Sequence, residues 1–176
     1  MKTDACFTLW ITKEIHNEVG IALFGNGDFE EALVDFADLL AIWQEQDVTY
    51  GVIQSLNNIG STYFALGEIE SSMEAFEEAL DVQRFYILNY FGTGIDELKS
   101  PNNGTLKQAL VGVSDTLCNL SYVYQAKGSS ASAVFLLKEA LTIHQTLDGN
   151  DQSDQMHDII NLLLFLDPVH ADTCDV

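Results

Sequence analysis

Basic residues are scarce in this chain. Seven lysines and arginines stand against 27 aspartates and glutamates in 176 residues, a formal net charge of −20. No Lys or Arg occurs from Glu14 to Gln83, or after Lys138. Recognition of nucleic acid phosphates or anionic lipid headgroups needs basic clusters, so both partner classes are disfavoured. Cysteine is equally sparse. Cys6, Cys118 and Cys174 are an odd count with no CxxC pair, which points to neither a disulfide framework nor a zinc knuckle. An intracellular, reducing compartment is expected, the cytoplasm first and an organelle as the alternative. Long apolar runs are missing too. Cys6 to Ile11 is interrupted by Thr8 and too short for a secretory signal, and Ile159 to Leu166 falls far below the roughly 20 residues that span a bilayer. A soluble chain without direct membrane insertion is the expectation.

Catalytic patterns are absent as well. The sequence contains no HExxH, GxSxG, P-loop or GxGxxG pattern, and His16, His144, His157 and His170 are scattered. His157 lies near Asp154 and Asp158, but one histidine beside acids on a helix is ordinary, and a metal site needs further convergent ligands. No catalytic residue, cofactor or metal is expected.

What the chain does have is repetition. The stretches NEVGIALFGNGDFEEALVDFADLLAI, NNIGSTYFALGEIESSMEAFEEALDV and CNLSYVYQAKGSSASAVFLLKEALTI align with one another. Gly20, Gly60 and Ser121 fall in one column; Leu23, Tyr63 and Tyr124 in the next; then Gly27, Gly67 and Gly128; Phe36, Phe76 and Leu137; and Leu40, Leu80 and Leu141. Each copy reads as a helix, a tight turn and a second helix. The small residues at 20, 60 and 121, answered by Ala32, Ser72 and Ala133, let the two helices approach. The glycines at 27, 67 and 128 supply the left-handed backbone that ends a helix. Phe29, Tyr63, Phe76, Tyr124 and Leu137 are core positions. One hairpin cannot bury its apolar faces alone and must stack on a neighbour.

This arrangement resembles the tetratricopeptide repeat, and in particular the long repeats of the kinesin light chain type. The step from Gly20 to Gly60 is 40 residues and from Ser121 to Leu163 is 42, against roughly 34 in the ordinary repeat. The resemblance implies an all-α fold: a right-handed superhelical solenoid of antiparallel helix pairs, about three and a half hairpins, occupying residues 1–166 as one domain. Repeats are expected at about 9–46, 50–88 and 106–147, with a half repeat at 152–166 and an acidic tail over 167–176. Helices are placed at about 9–25, 29–46, 50–66, 69–88, 106–127, 130–147 and 152–166.

An insertion at about 88–105 separates the second and third repeats. It is approached by the aromatic run that includes Phe85, Tyr86, Tyr90 and Phe91, which is expected to lengthen a helix. A loop ending in Pro101, Asn102, Asn103 and Gly104 follows. Insertions in solenoids often belong to the binding side, and Tyr and Phe are frequent interface anchors. The rings either meet a partner or fill the space made by the longer connection.

First helices line the concave face in the family, and asparagines recur on them here: Asn58 and Asn119 each precede the small residue by two positions, and Asn161 precedes Leu163 likewise. A carboxamide offers donors and an acceptor to a peptide backbone. The resemblance implies such a use for Asn58 and Asn119; a structural amide bonded to a neighbouring helix end is the alternative. Groove candidates are Asn57, Asn58, Ser61, Asp115, Cys118, Asn119, Tyr122 and Gln125. None is basic, unlike the cargo groove of kinesin light chains, and no heptad coiled coil is read here, so motor transport is not inferred. A neutral or basic protein segment is the favoured ligand. Two functions compete: an adaptor or scaffold that holds a partner segment in its groove, and a subunit buried in a larger assembly through apolar faces and the aromatic insertion.

Overall fold

The computed structural model describes residues 15–92, 104–148 and 154–166. Among them every regular element is a helix: α1 over 15–26, α2 Phe29–Glu45, α3 Thr49–Leu66, α4 Ile69–Phe91, α5 Gly104–Ala126, α6 Ser130–Asp148 and α7 Asp154–Leu166. The expected elements are all present. Two described boundaries differ from expectation by more than one residue: α4 continues through Phe91, the aromatic run lengthening the helix as expected but three residues further, and Gly104 opens α5 instead of closing a loop. Residues 9–14, the centre of the insertion with Pro101 to Asn103, residues 152 and 153, and the acidic tail lie outside the described residues, as do Cys6, Cys174 and His170.

Three turns share one geometry, and the repeated glycines cause it. Gly27, Gly67 and Gly128 take φ of 89°, 78° and 80°, where a β-carbon would be strained. Each amide bonds three residues back, Gly27 to Phe24 O at 3.1 Å, Gly67 to Phe64 O at 3.0 Å and Gly128 to Gln125 O at 2.9 Å. The next amide reaches five back, from Asp28 to Leu23 O, Glu68 to Tyr63 O and Ser129 to Tyr124 O. The helix-end carbonyls are thereby satisfied. The carbonyls of Asp28, Glu68 and Ser129 then accept from Ala32, Ser72 and Ala133, starting the second helix at once. Between α2 and α3 the left-handed position is held by Asp47 (φ 55°), a residue type that tolerates it better than most.

The chain divides into two compact units, Met1–Ala79 and Leu80–Val176. In the first, α2 packs on α3, and a core of Ala32, Phe36, Ile59 and Ala75 is flanked by Leu23, Leu40 and Tyr63. The small residues permit the expected approach: the Phe36 ring lies over Gly20 and the Phe76 ring over Gly60. Ser72 Oγ donates to Gly60 O at 2.7 Å, satisfying a buried hydroxyl at the crossing. Gly51 makes a third such contact under Trp43. His16 Nδ1 meets Asp35 Oδ1 at 2.7 Å, tying α1 to α2.

In the second unit α5 packs on α6 and α6 on α7. Val113, Leu117, Val123, Leu137 and Ala140 are fully buried, with Ala133 and Ser121 at the small-residue positions. The sole arginine, Arg84, pairs with Glu139 at 2.6 Å. That pair is partly exposed and contributes about 1 kcal/mol or less. Of the aromatic and aliphatic positions expected in the core, Phe76 and Leu137 are buried; Phe29, Tyr63 and Tyr124 are half-buried. No described helix is long and apolar enough to cross a membrane.

Candidate functional site

The groove candidates fall into two sets. On α3, Asn57, Asn58 and Ser61 are all half-buried. Asn57 Nδ2 donates to Ile53 O at 3.0 Å, and Ser61 Oγ donates to Asn57 O at 2.9 Å. Both side chains thus spend a donor on their own helix. On α5, Asn119 and Gln125 are half-buried and Tyr122 is 47% exposed. Asn161, the last of the asparagine series, is exposed on α7.

Three of the insertion candidates, Tyr86, Tyr90 and Phe91, form a cluster at the end of α4. Tyr86 and Tyr90 stack with ring centres 5.3 Å apart, and Phe91 meets Tyr90 edge-on at 5.0 Å and Tyr86 at 6.1 Å. Phe85 and Tyr90 remain 69% and 70% exposed. Tyr86, Tyr90 and Phe91 therefore touch one another along the helix, whereas Phe85 and Tyr90 keep most of their surface in water.

The second unit also holds a cleft of about 180 Å³. Ser114, Asp115, Cys118 and Tyr122 line it from α5, Leu137 and His144 from α6, and Gln155, Asp158, Ile159 and Leu162 from α7. The spacing explains the convergence. Positions 115, 118 and 122 share one face of α5, and 155, 158, 159 and 162 share one face of α7. Gln155 Nε2 reaches toward Asp115 Oδ1 across 3.5 Å, a long contact between the helices. Asp115, Cys118 and Tyr122 are among the sequence-derived groove candidates. His144, Gln155 and Asp158 are not; His144 reads as one of four scattered histidines, and its position opposite Asp115 arises only when α6 folds back on α5.

Electrostatics distinguishes this cleft. Burial raises the Asp115 carboxyl above its ordinary range, with His144 acting in the opposite direction. The Cys118 thiol is pushed up to about 11, first by burial and then by the neighbouring Asp115, against a lowering contribution from Ser114. Cys118 is therefore a thiol at neutral pH, without the thiolate character a nucleophile needs. Among the described residues, no group of three or more His, Cys, Asp or Glu side chains is arranged to hold a metal ion.

The Asp115 shift has a stability consequence. A carboxyl whose pKa is raised on folding binds its proton more tightly in the native state, so ionising it opposes folding. The penalty is full above the raised folded value and vanishes below the unfolded value of 3.8. Asp115→Asn is expected to raise Tm slightly at pH 7, with the difference from the parent closing as pH falls toward 4. Calorimetry of both proteins across that range checks it; a lower Tm for the variant at pH 7 contradicts it.

Comparison with known proteins agrees with the repeat pattern. A tetratricopeptide repeat family model matches residues 12–84, and a second of the same description matches residues 114–145. No curated protein matches the chain. Among solved structures, the crystal structure of MamA protein is similar at 16% identity, covering 94% of this chain and 96% of that chain with a TM-score of 0.34.

Proposed function

The chain belongs to the tetratricopeptide repeat family, whose repeats generally serve protein–protein interaction, and from that premise we propose that it is a non-catalytic adaptor binding an extended protein segment. The 40-residue step from Gly20 to Gly60 supports placing it with the long-repeat, kinesin light chain-like members as an architecture. The observation that carries the reading is the partly exposed polar face of α5, where Tyr122 lines a cleft with the half-buried Asn119 and Gln125 near it in the helix, and Asn57, Asn58 and Ser61 stand half-buried at the corresponding turns of α3. A neutral or basic segment fits this acidic chain, because none of those residues is basic and encounter with a cation is accelerated by a net charge of −20.

Replacing Asn58 and Asn119 together with alanine is expected to leave Tm within a few degrees of the parent while weakening partner capture about tenfold, the cost of two lost amide contacts. Quantitative pull-down against tagged parent and variant reads this. Equal capture by both removes the carboxamide contacts from the proposal.

A second reading, a subunit buried in a larger assembly, rests on a different observation: Phe85, Tyr90, Phe135 and Phe165 are each about seven-tenths exposed. Apolar surface of this kind favours association. On that reading the isolated chain sediments as oligomers, and Phe85→Ser with Tyr90→Ser returns it to monomer. A monomeric parent favours the adaptor.

A further inference from the structure

The cleft between α5, α6 and α7 is acidic, has an apolar floor and contains one buried histidine. Its lining carries Asp115 and Asp158 and no lysine or arginine. Leu137, Ile159 and Leu162 supply the apolar walls, and the half-exposed ring of Tyr122 stands among the polar groups. His144 is 2% exposed, and among the described residues its Nε2 has no hydrogen-bond partner. A buried ring nitrogen left unpaired is costly, and its presence in a polar cleft marks a place where an incoming group can bond.

We propose that this cleft seats a lysine side chain from a basic partner segment, its ammonium bonding Asp115, Asp158 and the Nε2 of His144 and its methylene stem lying on Leu137, Ile159 and Leu162. The inference rests on the partner-binding function and supplies its chemical specificity. Donor and acceptor complement decides the ligand class. Asp115 and Asp158 accept as carboxylates, and His144 accepts at Nε2 when its ring proton is on Nδ1, so in that form the cleft presents three acceptors to the three protons of an ammonium. An anionic ligand meets two carboxylates and no countercharge. A purely apolar side chain leaves the Nε2 of His144 unpaired. A lysine stem can lie along apolar surface while its head reaches polar groups, and the Tyr122 face adds attraction for a cation within about 6 Å. Burial already opposes ionisation of Asp115; a bound cation supplies the charge that favours it.

The probe is a fluorescein-labelled heptapeptide of alternating alanine and lysine, with a glutamine counterpart, followed by anisotropy against the full chain at physiological ionic strength. The lysine peptide is expected to bind and the glutamine peptide to bind weakly. Asp115→Asn with Asp158→Asn should reduce lysine-peptide affinity about tenfold. The equal-charge control Asp38→Asn with Glu45→Gln, exposed positions on α2, should change it less than about twofold. Equal losses in the two pairs, or none in either, overturn the proposal and leave only diffuse attraction to an acidic surface. Since Asp158 is exposed on α7, its single replacement keeps the test valid if the double variant fails to fold. Amide NMR shifts separate this inference from the function beneath it. Shifts at residues 115–122 and 144 support the cleft. Shifts confined to residues 57–61 retain the adaptor and refute the cleft. Partner capture that depends on Asn58 and Asn119 but ignores Asp115 and Asp158 refutes it equally.

Discussion

Gly60→Leu is expected to destabilise the first unit by about 3 kcal/mol, the upper part of the range for overpacking a core. A β-carbon at Gly60 would lie 2.9 Å from Phe76 Cε1 and 3.0 Å from Cδ1 and Cδ2, well inside van der Waals contact. The ring has nowhere to go, because Phe76 is 2% exposed. The crossing is also fastened by the Ser72 hydroxyl on Gly60 O, so separating the helices breaks a buried hydrogen bond as well. Removing a helical glycine returns about 1 kcal/mol of intrinsic propensity, which is smaller than the clash. Denaturant unfolding followed by circular dichroism measures the difference. A variant that unfolds at the parent midpoint would show that α3 and α4 do not meet at this residue.

Phe36→Ala is expected to cost about 3–5 kcal/mol, as truncation of a buried aromatic does. Phe36 is 2% exposed and belongs to the core with Ala32, Ile59 and Ala75, and its Cε1 lies 2.7 Å from the position a Gly20 β-carbon would take. Truncation removes the ring's dispersion contacts and opens a cavity that the flanking Leu23, Leu40 and Tyr63 fill only in part. Val34→Ala on the same helix, 61% exposed, should stay within about 0.5 kcal/mol of the parent. The close approach also predicts coupling. Gly20→Ala should be far less harmful in a Phe36→Leu background, because the shorter side chain vacates the space the methyl needs. Additive effects in that cycle would contradict the packing.

Function and stability pull in different directions at Asp115. Its ionisation opposes folding, so the variant that tests the lysine seat is also the one expected to melt slightly higher. The Asp115 side chain is only partly withdrawn from water, so the gain in Tm is expected to be small beside the loss of lysine-peptide affinity.

Much of this architecture is legible without coordinates. The columns of glycine at 27, 67 and 128 announce the turns, because a left-handed helix end leaves few other residue choices. Gly20 and Gly60 announce the crossings, because aromatic rings at Phe36 and Phe76 need a partner without a side chain. The end of α4 is less legible: Phe85 to Phe91 have the composition of either a long helix or a folded plug, and helix propensity alone does not separate them. The candidate site is half legible. Asp115, Cys118 and Tyr122 follow from their place on a first helix, whereas nothing adjacent in sequence marks His144, which lies 29 positions beyond Asp115.

The sequence by itself determined the helices, their turns and the small-residue crossings, because each depends on interactions within a few residues or on a repeated local pattern. Only the tertiary structure decided that Asp115, His144 and Asp158 share one cleft and that Phe85 and Tyr90 stay largely in water while Tyr86 and Phe91 are half-buried. The cleft depends on how three helices from different stretches of chain pack together, and neither short-range propensity nor repeat spacing encodes that juxtaposition.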